Sequence, residues 1–148
     1  VDVDDASVFI ARFENGALGT FEVTRFAGGN KNGKRFEING EKASIRWDLE
    51  NMNNLEVYFA DDEPGLQGYR LINCTEEHHP YAGAYWPAAH IIGYEHTFIN
   101  LVHELMNGIA KGYQPAPNFE DGFKNQIVLE AVETSSTKKS WVRIDSIN

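Results

Sequence analysis

Cysteine is nearly absent from this chain of 148 residues, and basic side chains are scarce. The single thiol, Cys74, has no intrachain partner, so no disulfide can staple the fold, and the composition suits a reducing cytoplasm better than an oxidising compartment. Asn73-Cys74-Thr75 matches a glycosylation acceptor by pattern alone, since no signal peptide accompanies it. Thirteen Lys and Arg stand against 22 Asp and Glu, for a formal net charge of −9. A chain so charged repels phosphate backbones and anionic lipid surfaces, so neither nucleic acid nor a membrane is an expected partner. No apolar run approaches the roughly 20 residues a spanning helix needs. Also missing are G-x-S-x-G, C-x-x-C and G-x-G-x-x-G, and without the last the chain has no Gly-rich turn of its own for a dinucleotide.

One segment imitates a phosphate loop. Residues 28–35 read GGNKNGKR, and the step from Gly28 to Gly33-Lys34 fits G-x-x-x-x-G-K. Arg35, however, stands where a Ser or Thr hydroxyl should hold Mg²⁺, and the following KRFEING reads as strand rather than as the helix whose free N–H groups would face an anion. The segment is expected to be a Gly/Asn-rich connection between strands.

Hydrophobic alternation predicts strands over SVFIARF (7–13) and GTFEVTRF (19–26), joined at Asn15-Gly16, the strongest short hairpin signal. RFEI and ASIRWD form a second hairpin across Asn39-Gly40, and LEVYFA and YRLINC add two more strands. Residues 76–93, EEHHPYAGAYWPAAHIIG, lack a period and carry three of the five histidines, a composition of a functional loop rather than a connector. Apolar residues Phe98, Leu101, Val102, Leu105 and Ile109 predict a helix from Tyr94 to Lys111, ended by Gly112. A second helix is capped by Asn118 with Asp121 three residues on, and Phe123, Ile127, Val128, Ala131 and Val132 give it one apolar face. SWVRID reads as a last strand, with Trp47 and Trp141 as core residues. Strands first and helices last give an α+β class: an open, largely antiparallel or mixed sheet of about six to seven strands, with two C-terminal helices packed on one face. The length suits one domain, residues 1–148, able to bury roughly 70% of its unfolded surface. The opening VDVDDASVF, apolar and strand-like from its first residues, reads as a cut through a longer polypeptide.

Metal and nucleophile readings find little support. His96 and His103 lie seven apart on one helical face, roughly 10 Å from each other, too far to chelate one ion. Cys74 with His78-His79 lacks a third orienting group. No catalytic residue, cofactor-binding residue or metal ligand is assigned from the chain's own motifs.

Four segments in order resemble one family: VDVDDASVFIARFENGALGTFEVTRFA, FEINGEKASIRWDL, IIGYEHTFINLVHEL and PAPNFEDGFKNQIVLEAV. They are similar to the C-terminal domain of Gfo/Idh/MocA-type NAD(P)-dependent oxidoreductases, the group containing glucose-fructose oxidoreductase and inositol dehydrogenase. Ala43 departs from the Gly usual after the E-K pair. The resemblance implies a two-domain enzyme in which a Rossmann domain holds NAD or NADP. The second domain then closes the pocket for a sugar or polyol substrate and builds homo-oligomers through its sheet, here at outward residues such as Phe26 and Tyr58. It places the catalytic Lys, Asp and His outside this chain, which alone is therefore expected to bind no cofactor and to be inactive. It further implies that GGNKNGKR and the lead-in to the first helix line the substrate pocket, which singles out Arg25, Asn30, Trp86, His90, Tyr94 and His96 as substrate-binding candidates. Arg25 has an alternative as a surface partner of Glu22 or Glu37, and Tyr94 as helix-start packing. A rival reading keeps the chain self-contained, a binding or assembly module taking a metal or small ligand in the His-rich loop 78–96.

Overall fold

The computed structural model describes residues 3–147. Six strands come first, β1 (Ala6–Arg12), β2 (Leu18–Thr24), β3 (Arg35–Asn39), β4 (Ala43–Asp48), β5 (Asn54–Phe59) and β6 (Arg70–Asn73), and two helices follow, α1 (Tyr94–Lys111) and α2 (Phe119–Lys138). Short 3₁₀ turns occupy Leu49–Asn51, Ala82–Ala84 and Ile144–Ser146. The α+β class, the antiparallel pairing and the order of elements match the sequence expectation. The strands, however, hydrogen-bond as two open sheets, β1-β2 and β3-β4-β5-β6, rather than as one. The chain divides into two compact units, Val1–Gly28 with Glu104–Asn148, and Gly29–His103.

In the first unit the Asn15-Gly16 turn closes the β1-β2 hairpin. Gly16 adopts φ +89°, a conformation glycine reaches without strain, and the Asn15 side chain accepts from the Ala17 N–H at 3.1 Å. Across the pair Phe9 stacks on Phe21 with ring centroids 4.7 Å apart. Gly19 makes room for this, since a Cβ there would come within 2.8 Å of the Phe21 ring. At the far end of α1, Gly112 turns left-handed and the Tyr113 N–H reaches the Gly108 carbonyl, the expected stop. The start of α2 is a full capping box: Asn118 Oδ1 accepts from the Glu120 and Asp121 N–H groups, and Asp121 Oδ2 accepts from the Asn118 N–H. The predicted strand SWVRID does not form. Arg143 binds Asp145 through two hydrogen bonds at 3.0 and 2.6 Å, and Ser146 Oγ donates to the Arg143 carbonyl, so local bonds draw the backbone into a 3₁₀ turn. Trp141 is accordingly 63% exposed, beside the Arg12 guanidinium, and is no core residue.

In the second unit β3 to β6 form an antiparallel meander whose register segregates its two faces. Phe36 opposes Trp47, Ile38 opposes Ile45 and Ile45 opposes Val57 on the apolar face. Glu37 opposes Arg46, and Arg46 opposes Glu56, on the polar one. Trp47 stacks on Phe36 and donates its indole N–H to the Met52 carbonyl at 3.1 Å. Arg46 lies 3.9 Å over the Tyr69 ring and 2.6 Å from Glu37, whose carboxyl this bond holds below the ordinary range. Tyr58 is half-buried beside Tyr69 on that polar face, rather than part of an outward apolar patch, whereas Phe26 is exposed as expected.

Burial departs furthest from expectation. Among the described residues the buried apolar side chains are Val57, Ala82 and Ala131, and the apolar stripe of α1 (Phe98, Leu101, Val102, Leu105, Ile109) is at least half exposed throughout. The sequence pattern is amphipathic, but the described residues leave the faces it creates largely exposed. No helix among the described residues is long and apolar enough to cross a membrane.

Candidate functional site

Five of the six candidate residues belong to the second unit. They lie on two segments: the 29–35 connection, which carries Asn30, and the aperiodic loop that runs into α1, with Trp86 and His90 in the loop and Tyr94 and His96 in the first turn of the helix. That loop is ordered by local bonds. Thr75, buried, donates its hydroxyl to the Asn73 side chain, and its carbonyl accepts from the Ala89 N–H. Tyr81 and Ala89 adopt φ of +66° and +69°. Left-handed backbone is costly for residues with a Cβ and gathers at binding and catalytic segments. Ala89 immediately precedes His90.

The His90 ring is oriented by this backbone. Its Nδ1 lies 2.9 Å from the Pro87 carbonyl and 3.2 Å from that of Ala88. Carbonyls only accept, so Nδ1 carries the proton, and in the neutral ring Nε2 presents a lone pair. The residue is exposed. Tyr94, at the first position of α1, is exposed too and meets Phe98 edge-on at 5.4 Å. Trp86 is 52% exposed, with its ring 6.5 Å from that of His96.

His96 itself is 8% exposed. Its Nδ1 accepts the Gly93 N–H at 3.0 Å, so it ties off a free backbone donor at the start of α1, and Tyr85 meets its ring edge-on at 4.4 Å. The same Tyr85 donates its hydroxyl to Asn100 Oδ1, pinning the loop to the helix.

Asn30 is exposed, and the backbone beside it is already bound. The N–H groups of Lys31 and Asn32 both donate to Glu50 Oε1, at 3.0 and 2.9 Å, and Glu50 Oε2 faces Arg35 at 3.5 Å. A carboxylate of the chain thus occupies the cradle that the G-x-x-x-x-G-K spacing suggests for phosphate. Strand β3 follows the loop rather than a helix. These residues do not fit a dinucleotide pyrophosphate. Arg25, in the first unit, is exposed and directly follows β2. Its N–H donates to the Asp5 carbonyl, and its guanidinium makes no ion pair among the described residues, while Glu37, one of the partners considered for it, binds Arg46.

The His-rich end of the loop offers no nucleophile. Burial pushes the Cys74 thiol up, disfavouring thiolate, and its nearest acceptor is the Ile72 carbonyl at 3.7 Å. His79 Nδ1 accepts from the Glu76 N–H, which orders the turn. No group of three or more His, Cys, Asp or Glu among the described residues is placed to hold a metal ion, which leaves the rival metal-module reading without a ligand set.

Two residues outside every motif of the sequence bind these two segments. One is Glu50. The other is Asn53, whose amide accepts from the Ile92 N–H and donates to the Ile92 carbonyl, both at 2.9 Å. Neither lies near its partner in sequence, and the only local hint is the polar run ENMNN between two strands.

Comparison with known proteins gives one family. Residues 1–144 match GFO_IDH_MocA_C, the oxidoreductase family, C-terminal alpha/beta domain. The chain is 38% identical over 149 residues to levoglucosan dehydrogenase of Pseudarthrobacter phenanthrenivorans, covering all of this chain and 38% of that enzyme's length. An oxidoreductase domain protein from Kribbella flavida superposes with a TM-score of 0.94 at 52% identity, over 97% of this chain and 38% of the other. Levoglucosan dehydrogenase in complex with NADH and levoglucosan superposes with a TM-score of 0.91 at 40% identity, over 96% of this chain and 39% of the other, and that enzyme is also seen with NADH and L-sorbose. The chain therefore spans well under half of these relatives, and by its match over residues 1–144 it belongs to the Gfo/Idh/MocA oxidoreductases as their C-terminal alpha/beta domain.

Proposed function

We propose that this chain is the substrate-holding and assembly part of a larger cytoplasmic NAD(P)-dependent oxidoreductase that acts on a sugar, an anhydrosugar such as levoglucosan, or a polyol. The observation that carries the reading is the His90 segment. A ring fixed through Nδ1, with Nε2 open and the exposed rings of Trp86 and Tyr94 on the same segment, supplies what carbohydrate recognition uses: a directed acceptor for a hydroxyl and aromatic surface for the apolar face of a sugar ring. In this reading Asn30 adds an amide from the 29–35 connection. His96 supports the wall from behind by fixing the helix start. The likeness to levoglucosan dehydrogenase supports the substrate class, and its NADH complexes support the cofactor class.

The direct test is a turnover assay. The full-length protein, offered levoglucosan, L-sorbose and myo-inositol with NAD⁺ or NADP⁺, is expected to reduce the cofactor with at least one of them. A flat response to all three from folded protein would overturn the reading.

Assembly follows from the uncovered apolar surface. Val8, Ile10, Val23 and Phe26 in the first unit, and Phe36 and Ile38 in the second, are all exposed. Apolar exposure on this scale marks surfaces that meet a partner, and a second copy of the chain is the partner proposed. Light scattering at about tens of micromolar should report a homo-oligomer, and a strict monomer at that concentration would count against this part of the proposal.

A further inference from the structure

Residues 48–53 run from the last residue of β4 to the start of β5, and several of their polar groups are engaged in hydrogen bonds. The backbone N–H of Glu50 donates to Asp48 Oδ1 at 2.9 Å, and Arg35 donates to Asp48 Oδ2 at 2.7 Å. These bonds hold the Asp48 carboxyl below its ordinary range, the Glu50 amide first and the Arg35 guanidinium after it, so it stays ionised and caps the turn. Met52 is fixed from the other side by the Trp47 indole N–H. From this small rigid turn two side chains reach out, three residues apart. Glu50 holds Lys31 and Asn32, and Asn53 holds Ile92.

We infer that the 48–53 turn is the positioning element of the substrate pocket, with Glu50 setting the segment that carries Asn30 and Asn53 setting the segment that carries His90 and Tyr94. The inference rests on the pocket reading above and extends it. Two stretches about 60 residues apart in sequence are registered against each other by one turn, because both of its grips are paired backbone contacts that fix orientation as well as distance. In the Glu50 grip one carboxylate oxygen receives two successive N–H groups. In the Asn53 grip one side-chain amide satisfies both the donor and the acceptor of a single residue. Neither side chain has to touch substrate. Their effect passes through the walls that they hold.

The test uses the full-length enzyme and the variants Asn53→Asp, Asn53→Ala, Glu50→Gln and Glu50→Ala, with levoglucosan as the probe sugar. Asn53→Asp keeps the shape and the acceptor but sets a carboxylate against the Ile92 carbonyl. Glu50→Gln keeps an oxygen for the Lys31 and Asn32 N–H groups and serves as the conservative control. Two readouts are taken together: hydrogen exchange at the Ile92, Lys31 and Asn32 amides, and KM for the sugar against kcat and against KM for the cofactor.

We expect Asn53→Asp and Asn53→Ala to speed exchange at Ile92, and Glu50→Ala to speed it at Lys31 and Asn32. All three should raise KM for the sugar by about five- to tenfold, as the loss of one or two neutral hydrogen bonds implies, with kcat and cofactor KM little changed. Glu50→Gln should lie close to the parent enzyme. Faster exchange with sugar KM unmoved would show that the turn holds segments that do not meet substrate, which overturns both the inference and the pocket reading. Unchanged exchange, with His90→Ala still impaired, would overturn the inference alone. Should the alanine variants fail to fold, Asn53→Asp decides the matter by the same readouts.

Discussion

Residues 1–148 expressed alone are expected to show no saturable binding of NADH or NADPH up to about millimolar concentration, and no turnover of any sugar. The reason is local and physical. Binding a pyrophosphate needs a Gly-rich turn whose N–H groups are free and a helix that starts behind it. The one segment of suitable spacing, GGNKNGKR, runs into β3, and the Lys31 and Asn32 N–H groups already face the Glu50 carboxylate. An incoming phosphate would have to displace a tethered anion while meeting the repulsion of a chain with a formal net charge of −9. Fluorescence titration showing micromolar cofactor affinity for this chain would contradict the expectation.

In the full-length enzyme, His90→Ala is expected to lower kcat/KM for the sugar by about tenfold or more, and Tyr94→Ala by a smaller factor, with cofactor affinity nearly unchanged in both. The asymmetry follows from the surroundings. His90 is held through Nδ1 by the Pro87 carbonyl, so its removal takes away an oriented acceptor and leaves a substrate hydroxyl without a partner. Tyr94 is edge-packed on Phe98 and more than half exposed, so its loss removes contact area and one hydroxyl that water replaces easily. A loss beyond about a hundredfold for His90 would exceed what positioning supplies and would point to proton transfer through Nε2. Full activity in both variants across a panel of sugars and polyols would remove this segment from the pocket and leave Tyr94 as helix-start packing.

What could be read from sequence was what is decided within a few residues. The Asn15-Gly16 turn, the Asn118 and Asp121 capping box, the span of α1 from Tyr94 to Lys111 and its stop at Gly112 all depend on neighbours in the chain, and all are present in the structure. SWVRID was misread because its alternation suits a strand, while the Arg143 and Asp145 pair and the Ser146 hydroxyl offer the backbone a local alternative that alternation does not register. The stripe on α1 was legible as amphipathic but not as uncovered, since a pattern shows which face seeks cover and not where the cover comes from. In the candidate site, the histidines drew notice because histidine is chemically versatile, yet their environments differ widely. His96 is buried at a helix start, His79 ties a turn, and His90 combines exposure with a ring fixed by backbone carbonyls. Glu50 and Asn53 escaped notice because their partners lie 18 to 39 residues away, and no local pattern of an acidic residue or an amide reports a contact across that separation.

The His90 segment is proposed as a wall of the sugar site. The most direct test is the crystal structure of the full-length protein with NADH and its best sugar substrate, and the quantity to read is the separation between His90 Nε2 and the nearest sugar oxygen. A sugar hydroxyl is expected within hydrogen-bond reach of Nε2, about 2.7–3.2 Å, with Asn30 or Tyr94 also touching the sugar. A sugar bound with no atom in contact with Asn30, His90 or Tyr94 would contradict it.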